Sequence, residues 1–214
     1  MAIKAIIFDF DGVVIDSEPI YVAAERRILA QYGVQVTEED WKYFKGTTEK
    51  GFYQLIINKY NVKADLEQLI RDSRQYLQEE FRKGVDYIPG FKDFWHGIAG
   101  RYRTALVTST SADFLQWIFS HTTVRNYFNL TITADDIKHA KPHPEPYLKA
   151  MRQLEVMPAE SLIIEDSLNG IQAALASGAV TVGFLSSLGH IDMPNAHFHA
   201  RDYAEITQIL KRLG

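Results

Sequence analysis

Five short runs of branched apolar residues, at 3–10, 104–108, 130–133, 161–165 and 179–184, set the fold class of this 214-residue chain. Each is too short for an ordinary helix and is bounded by glycine, aspartate or charged residues, so each reads as a buried strand. Between the last four lie helical patterns at 111–121, 145–154 and 168–177. Strands apolar on both faces, alternating with helices, predict an α/β fold built on a doubly wound, mostly parallel sheet. The stretch from 17 to 84 breaks this rhythm. Helical patterns at 18–32, 37–44, 48–60 and 65–83 follow one another with no strand between them, and Thr37 before Asp40 and Asp65 before Gln68 have the spacing of capped helix starts. The expected organisation is an α/β core of residues 1–16 and 85–214, with a small helical domain of residues 17–84 inserted after the first strand. Residues 13–18 form one hinge, and Gly84, Pro89 and Gly90 mark the other.

Charge and composition narrow the function classes. With 23 Lys+Arg against 27 Asp+Glu, the net charge of −4 gives no global basic field for nucleic acid or an anionic membrane. The chain has no cysteine, which excludes disulfides, thiolate metal sites and cysteine nucleophiles. There is no basic-then-apolar leader and no apolar run of membrane-spanning length, so a cytoplasmic protein is expected, with a monomer as the starting assumption.

The chemistry gathers at strand ends, where open α/β sheets bind their ligands. Asp9-Phe10-Asp11-Gly12 closes the first strand, and period-2 alternation sends both carboxylates to one side, where they repel unless a cation or a shared proton relieves them. An acidic strand-end turn is the plainer reading of that segment alone. Thr108-Ser109-Thr110-Ser111 puts hydroxyls and a helix start after the second strand, suited to phosphate or carboxylate; Ser109 or Ser111 also suits simple helix capping. Lys141 lies in a loop stiffened by Pro142, Pro144 and Pro146 and could neutralise a phosphate and a carboxylate together, although most lone lysines are solvated. His139 and His143 read as ordinary loop residues. Glu165-Asp166 is a second acidic strand end, which with Asp9 makes an all-oxygen set suited to a hard cation such as Mg²⁺, while Asp166 or Ser167 also suits capping the next helix.

Taken together, the segment from Asp9 to Glu18, then Ser109, Lys141-Pro142 and Glu165-Asp166-Ser167 resemble the haloacid dehalogenase superfamily, closest to its phosphatases and β-phosphoglucomutases with a helical cap. The resemblance spans essentially the whole chain in motif order. It implies a Rossmann-like core, a helical cap, Mg²⁺ as cofactor and a small phosphorylated metabolite as partner. It also implies Asp9 as nucleophile, Asp11 as general acid/base, and Asp9, Asp166, Glu165 (directly or through water) and the Asp11 carbonyl around the metal. Ser109 with Thr110 would bind phosphate, Thr108 being the competing choice, and Lys141 would stabilise charge on the phosphoryl group. Asp11 argues against the dehalogenases and phosphonate-cleaving enzymes, which lack it. The mutase pattern carries a histidine and an arginine where this chain has Tyr21 and Glu49, and a glutamate there would repel a second phosphate. Lys45, Thr47 and Thr48 are candidate substrate contacts from the cap, or a plain helix turn with capping threonines, and Tyr21, Trp41 and Phe44 could line the cleft. The expectation is a Mg²⁺-dependent phosphatase working through an aspartyl phosphate. A β-phosphoglucomutase-type hexose-phosphate mutase and a catalytically silent phosphate-binding module are the alternatives.

Overall fold

The computed structural model describes residues 2–37, 39–40, 47–185 and 196–214. Six strands, β1 (Ala5–Phe8), β2 (Arg103–Val107), β3 (Leu130–Ile132), β4 (Ser161–Glu165), β5 (Val180–Phe184) and β6 (Phe198–Ala200), form one sheet in the order β3-β2-β1-β4-β5-β6, with every pair parallel. Among the described residues there are eight α-helices: α1 (Glu18–Ala30), α2 (Glu49–Tyr60), α3 (Leu66–Arg82), α4 (Phe91–Ile98), α5 (Ala112–His121), α6 (Glu145–Gln153), α7 (Leu168–Ala176) and α8 (Tyr203–Leu213). The α/β expectation therefore holds, with the first strand shorter than expected. No described helix is long and apolar enough to cross a membrane.

Alternation along the strands explains the layering. Ile6 and Phe8 of β1, with Leu106, Leu162, Ile164 and Val182, pack against Phe91, Phe94, Leu115, Ile118 and Ile206 from α4, α5 and α8. The intervening Ala5 and Ile7, with Ala105, Val107 and Ile163, face Tyr147, Ala150 and Met151 of α6 and Ala173 and Ala174 of α7. Both faces are covered, so both residue sets are apolar and the chain has no polar face to offer along β1. The next residue in the α6/α7-facing rows of β1 and β4 is a carboxylate, Asp9 after Ala5 and Ile7 and Glu165 after Ile163, while in β2 it is Ser109.

Helices α1, α2 and α3 enclose a cluster of their own, with Ile28, Leu29, Phe52, Tyr53, Ile56 and Leu69 buried in it. Thr48 caps α2 by accepting from the Gly51 N–H at 3.1 Å, and Asp65 caps α3 by accepting from the Gln68 N–H at 2.9 Å. Asp40 N–H donates to Thr37 Oγ1 at 3.2 Å, as the Thr37 spacing predicts. Phe81 near the end of α3 leaves this cluster for the sheet-side core, where it meets Phe114 edge-on.

Candidate active site

The sheet order places a topological switch between β1 and β4: the chain leaves β1 toward β2 and β3, then crosses back to β4 on the other side. Such a crevice at the carboxyl ends of the strands is where open α/β sheets bind ligands. Asp9 directly follows β1, its N–H still bonded to the Ile164 carbonyl at 3.0 Å, and Glu165 ends β4. Lys141 comes from the crossover between β3 and α6 and reaches between them. Its Nζ donates to Asp9 Oδ1 at 2.5 Å and to Glu165 Oε1 at 2.6 Å, with a longer contact to the Val107 carbonyl.

Glu165 has no solvent exposure, and both its oxygens have protein partners. The Tyr147 hydroxyl donates to Oε1 at 2.7 Å, and the Ser167 N–H and Oγ both donate to Oε2 at 3.0 Å. Burial works to raise its pKa, but the Lys141 charge and hydrogen bond, with the Ser167 and Tyr147 donors, outweigh it and keep the carboxyl below its ordinary value. Burial also works to lower the Lys141 pKa, and the two carboxylates reverse that to hold the ammonium well above its usual value. Asp9 goes the other way. Burial, then Glu165, push it well above the carboxylate range against the pull of Lys141, and Asp166 and Asp11 add to the rise. Ligand oxygens of Asp9, Glu165 and Asp166 lie within 4.8 Å of one another. Two buried carboxylates thus share one ammonium with a third beside them, an excess of negative charge that a hard divalent cation would relieve.

The other expected residues fall around this cluster. Asp11 lies in a tight loop where Gly12, at φ 75°, lets its N–H turn back to the Ile15 carbonyl at 2.8 Å. Buried Ser17 donates to Asp11 Oδ1 at 2.5 Å and fixes that half-buried carboxylate, whose charge acts on Asp9. Thr108 is buried and its Oγ1 accepts from the Thr110 N–H at 3.0 Å, so the strand-end threonine serves the loop's own backbone, while Ser109 is half-buried. Tyr21 is hydrogen-bonded to Thr110, and burial, then the nearby Asp11 charge, raise its pKa well above the usual phenol value. Ser167 caps α7 through the Gly170 N–H at 3.1 Å. Thr47 is half-buried beside the Thr48 cap, and Lys45, Trp41 and Phe44 lie outside the described residues.

Glu49 differs from its expected effect. Arg74 of α3 grips it with Nε at 2.9 Å from each carboxylate oxygen and Nη2 at 2.6 Å, so its charge is balanced locally and is no bare repulsive group. The same guanidinium donates to Asp113 Oδ2 at 2.6 Å and Ser111 Oγ at 2.8 Å at the start of α5. Ser111 occupies the cap position of α5 without capping it, and Asp135 accepts the Ala112 N–H instead, at 2.7 Å. Arg74, Tyr147 and Gly170 are the residues that sequence reasoning missed. Gly170 follows Glu165 within one strand-end segment, and only the fold reveals that a methyl on it would fall on the Glu165 carboxylate.

Residues 6–184 match the family of haloacid dehalogenase-like hydrolases. The chain belongs to that family. A phosphorylated carbohydrates phosphatase of Thermotoga maritima is 30% identical over 176 residues, covering 82% of each chain. The fructose-1-phosphate phosphatase YqaB of Escherichia coli is 30% identical over 175 residues, 81% of this chain and 92% of that one. The crystal structure of CbbY from Rhodobacter sphaeroides in complex with phosphate is 25% identical with a TM-score of 0.81, covering 95% of this chain and 96% of that one. This haloacid dehalogenase-like hydrolase is accordingly an enzyme of the phosphatase kind, as those two curated relatives are.

Proposed function

We propose that the enzyme hydrolyses the phosphate monoester of a small sugar or polyol by way of a phosphoryl group carried on Asp9. The observation that carries this reading is the buried Asp9–Lys141–Glu165 arrangement at the switch point, with Asp166 beside it and Asp11 near enough for its charge to act on Asp9. The named activities of the two curated phosphatases support the substrate class.

In the first step an Asp9 carboxylate oxygen forms a bond to phosphorus while the bond from phosphorus to the substrate oxygen breaks, and protonated Asp11 gives its proton to that oxygen. In the second, Asp11 takes a proton from water as the water oxygen attacks phosphorus and the bond to Asp9 breaks, releasing inorganic phosphate. Lys141 holds Asp9 in place and offers positive charge to the transferring group, the electrostatic role on which phosphoryl transfer chiefly depends. Asp9, Asp166 and Glu165, with the Asp11 carbonyl, would hold Mg²⁺, which supplies charge neutralisation for the phosphoryl oxygens and keeps Asp9 ionised. Glu165 already has four donors on its two oxygens, which favours a contact through water over a direct one. Ser109 and Thr110 would receive the phosphate oxygens. Residues 17–84 act as a cap over the crevice, contributing Tyr21 and Thr47 to the substrate side and excluding water when closed.

A panel of sugar, polyol and nucleotide monophosphates in Mg²⁺ tests the reading. Phosphate should be released from at least one sugar or polyol phosphate, and Asp9→Asn should lower the rate by at least about a thousandfold. Interconversion of a hexose 1- and 6-phosphate with no phosphate release would replace hydrolysis by mutase chemistry. Inactivity toward the whole panel would leave a binding module.

A further inference from the structure

Beyond the acidic crevice, a second group of potential ligands stands on the loop that delivers Lys141. His139, His143 and Glu145 each offer a ligand atom, and these atoms lie within 4.8 Å of one another. His139 Nδ1 is 2.8 Å from Glu145 Oε2. The two imidazole rings have centroids 4.7 Å apart, tilted by 38°. His143 Nδ1 accepts a 3.2 Å hydrogen bond from the Glu145 N–H, a contact that ligation through that nitrogen would displace. The carboxylate itself is anchored, since Oε1 accepts the Lys138 N–H at 2.8 Å and Oε2 the His139 N–H at 3.0 Å. Prolines at 142, 144 and 146 stiffen the segment, so little ordering entropy remains to be lost when a ligand arrives.

We propose that His139, His143 and Glu145 form a site for a late first-row divalent cation such as Zn²⁺, separate from the crevice that suits Mg²⁺. Two nitrogens and one carboxylate oxygen select a borderline cation over Mg²⁺ or Ca²⁺, which favour all-oxygen sets. In a tetrahedral zinc site the ligand atoms sit about 3.3 Å apart. Parting His139 Nδ1 from Glu145 Oε2 by roughly half an ångström, and drawing in the His143 nitrogen that already lies within 4.8 Å of both, would admit the ion. The imidazole would then keep its proton on Nε2 in place of Nδ1, and Glu145 Oε2 would retain the His139 N–H. Both histidines are exposed, so a water completes the fourth position without disturbing the core. Residues 139–145 also bracket Lys141, so an occupied site braces the loop that carries the catalytic ammonium.

Protein freed of metal by chelation and then saturated with Mg²⁺ is titrated with Zn²⁺ by calorimetry and with Co²⁺ by visible absorption. One equivalent of Zn²⁺ should bind in addition to Mg²⁺. H139A and H143A should each weaken it by at least about tenfold, and D166N should retain it. In the unaltered protein, Co²⁺ should shift the imidazole proton signals of these two histidines in NMR spectra, which needs no variant to fold. Zn²⁺ affinity unchanged in the H139A/H143A double variant, loss of the equivalent in D166N, or undisturbed imidazole signals would each overturn the proposal.

Discussion

Asp11 is half-buried and held by the Ser17 hydroxyl, whereas Asp9 is buried against Lys141, and that difference in surroundings supports the proposed division into a proton-transfer group and a nucleophile. Asp11→Asn should lower kcat by about a hundredfold or more for substrates with poor leaving groups, and much less for an aryl phosphate that needs no proton; steady-state kinetics on both kinds checks this. Gly170 offers a packing test. Its Cα lies beneath the Glu165 carboxylate, so Gly170→Ala forces apart a group fixed by Lys141, Tyr147 and Ser167. A loss of about 1–3 kcal/mol in denaturant unfolding is expected, together with reduced activity as Lys141 loses its partner. Glu145 gives a pH signature. Backbone donation from Lys138, with the His139 contacts, holds its pKa at about 2 against an ordinary 4.5. A depressed carboxyl stabilises the fold above its unfolded pKa and loses that contribution as pH falls through the folded one. The stability advantage of wild type over Glu145→Gln should be full above pH 4.5 and gone near pH 2, as acid titration of the unfolding midpoint would show.

Between elements, Arg74 ties the α1–α3 cluster to the start of α5, the helix that follows the hydroxyl-rich loop after β2. One guanidinium serving two carboxylates and a hydroxyl needs the planar fork that lysine lacks. Arg74→Ala should raise KM about fivefold, roughly 1 kcal/mol after allowance for solvent screening, with kcat less affected, and Arg74→Lys should not restore it; added salt should raise the wild-type KM toward the variant's. The contact was not legible in sequence, because Arg74 and Asp113 are distant in the chain and neither sits in a motif. The candidate residues Asp9, Asp11, Lys141, Glu165 and Asp166 stood out because they lie at or just beyond strand ends or in a proline-stiffened loop, and strand ends are where a parallel sheet exposes its chemistry. Helix α4 and the β6–α8 pair passed unread, the strand being three residues long with His199 exposed. The serine at 111 fitted a cap and instead faces Arg74, a choice that a neighbouring element makes.

At the scale of the molecule, the six-stranded order with its reversal between β1 and β4 concentrates like charge where the two halves of the sheet part. A cation that relieves this charge binds the native state alone and so stabilises it. Mg²⁺ at a hundred times its Kd should add about 2.7 kcal/mol, a rise in Tm of about 5–10 °C for a chain of this length, and Asp166→Asn should abolish the rise in a calorimetric scan. The sequence by itself determined the α/β class, the run of helices after the first strand and the acidic strand ends, because local periodicity and strand termini are properties of consecutive residues. Only the tertiary structure decided that Lys141 stands between Asp9 and Glu165, that Tyr147 and Ser167 take the remaining lone pairs of Glu165, and that Arg74 neutralises Glu49. The reason is physical: the charge state and role of a carboxylate depend on which groups share its low-dielectric surroundings, and those groups arrive from strands and loops far apart along the chain.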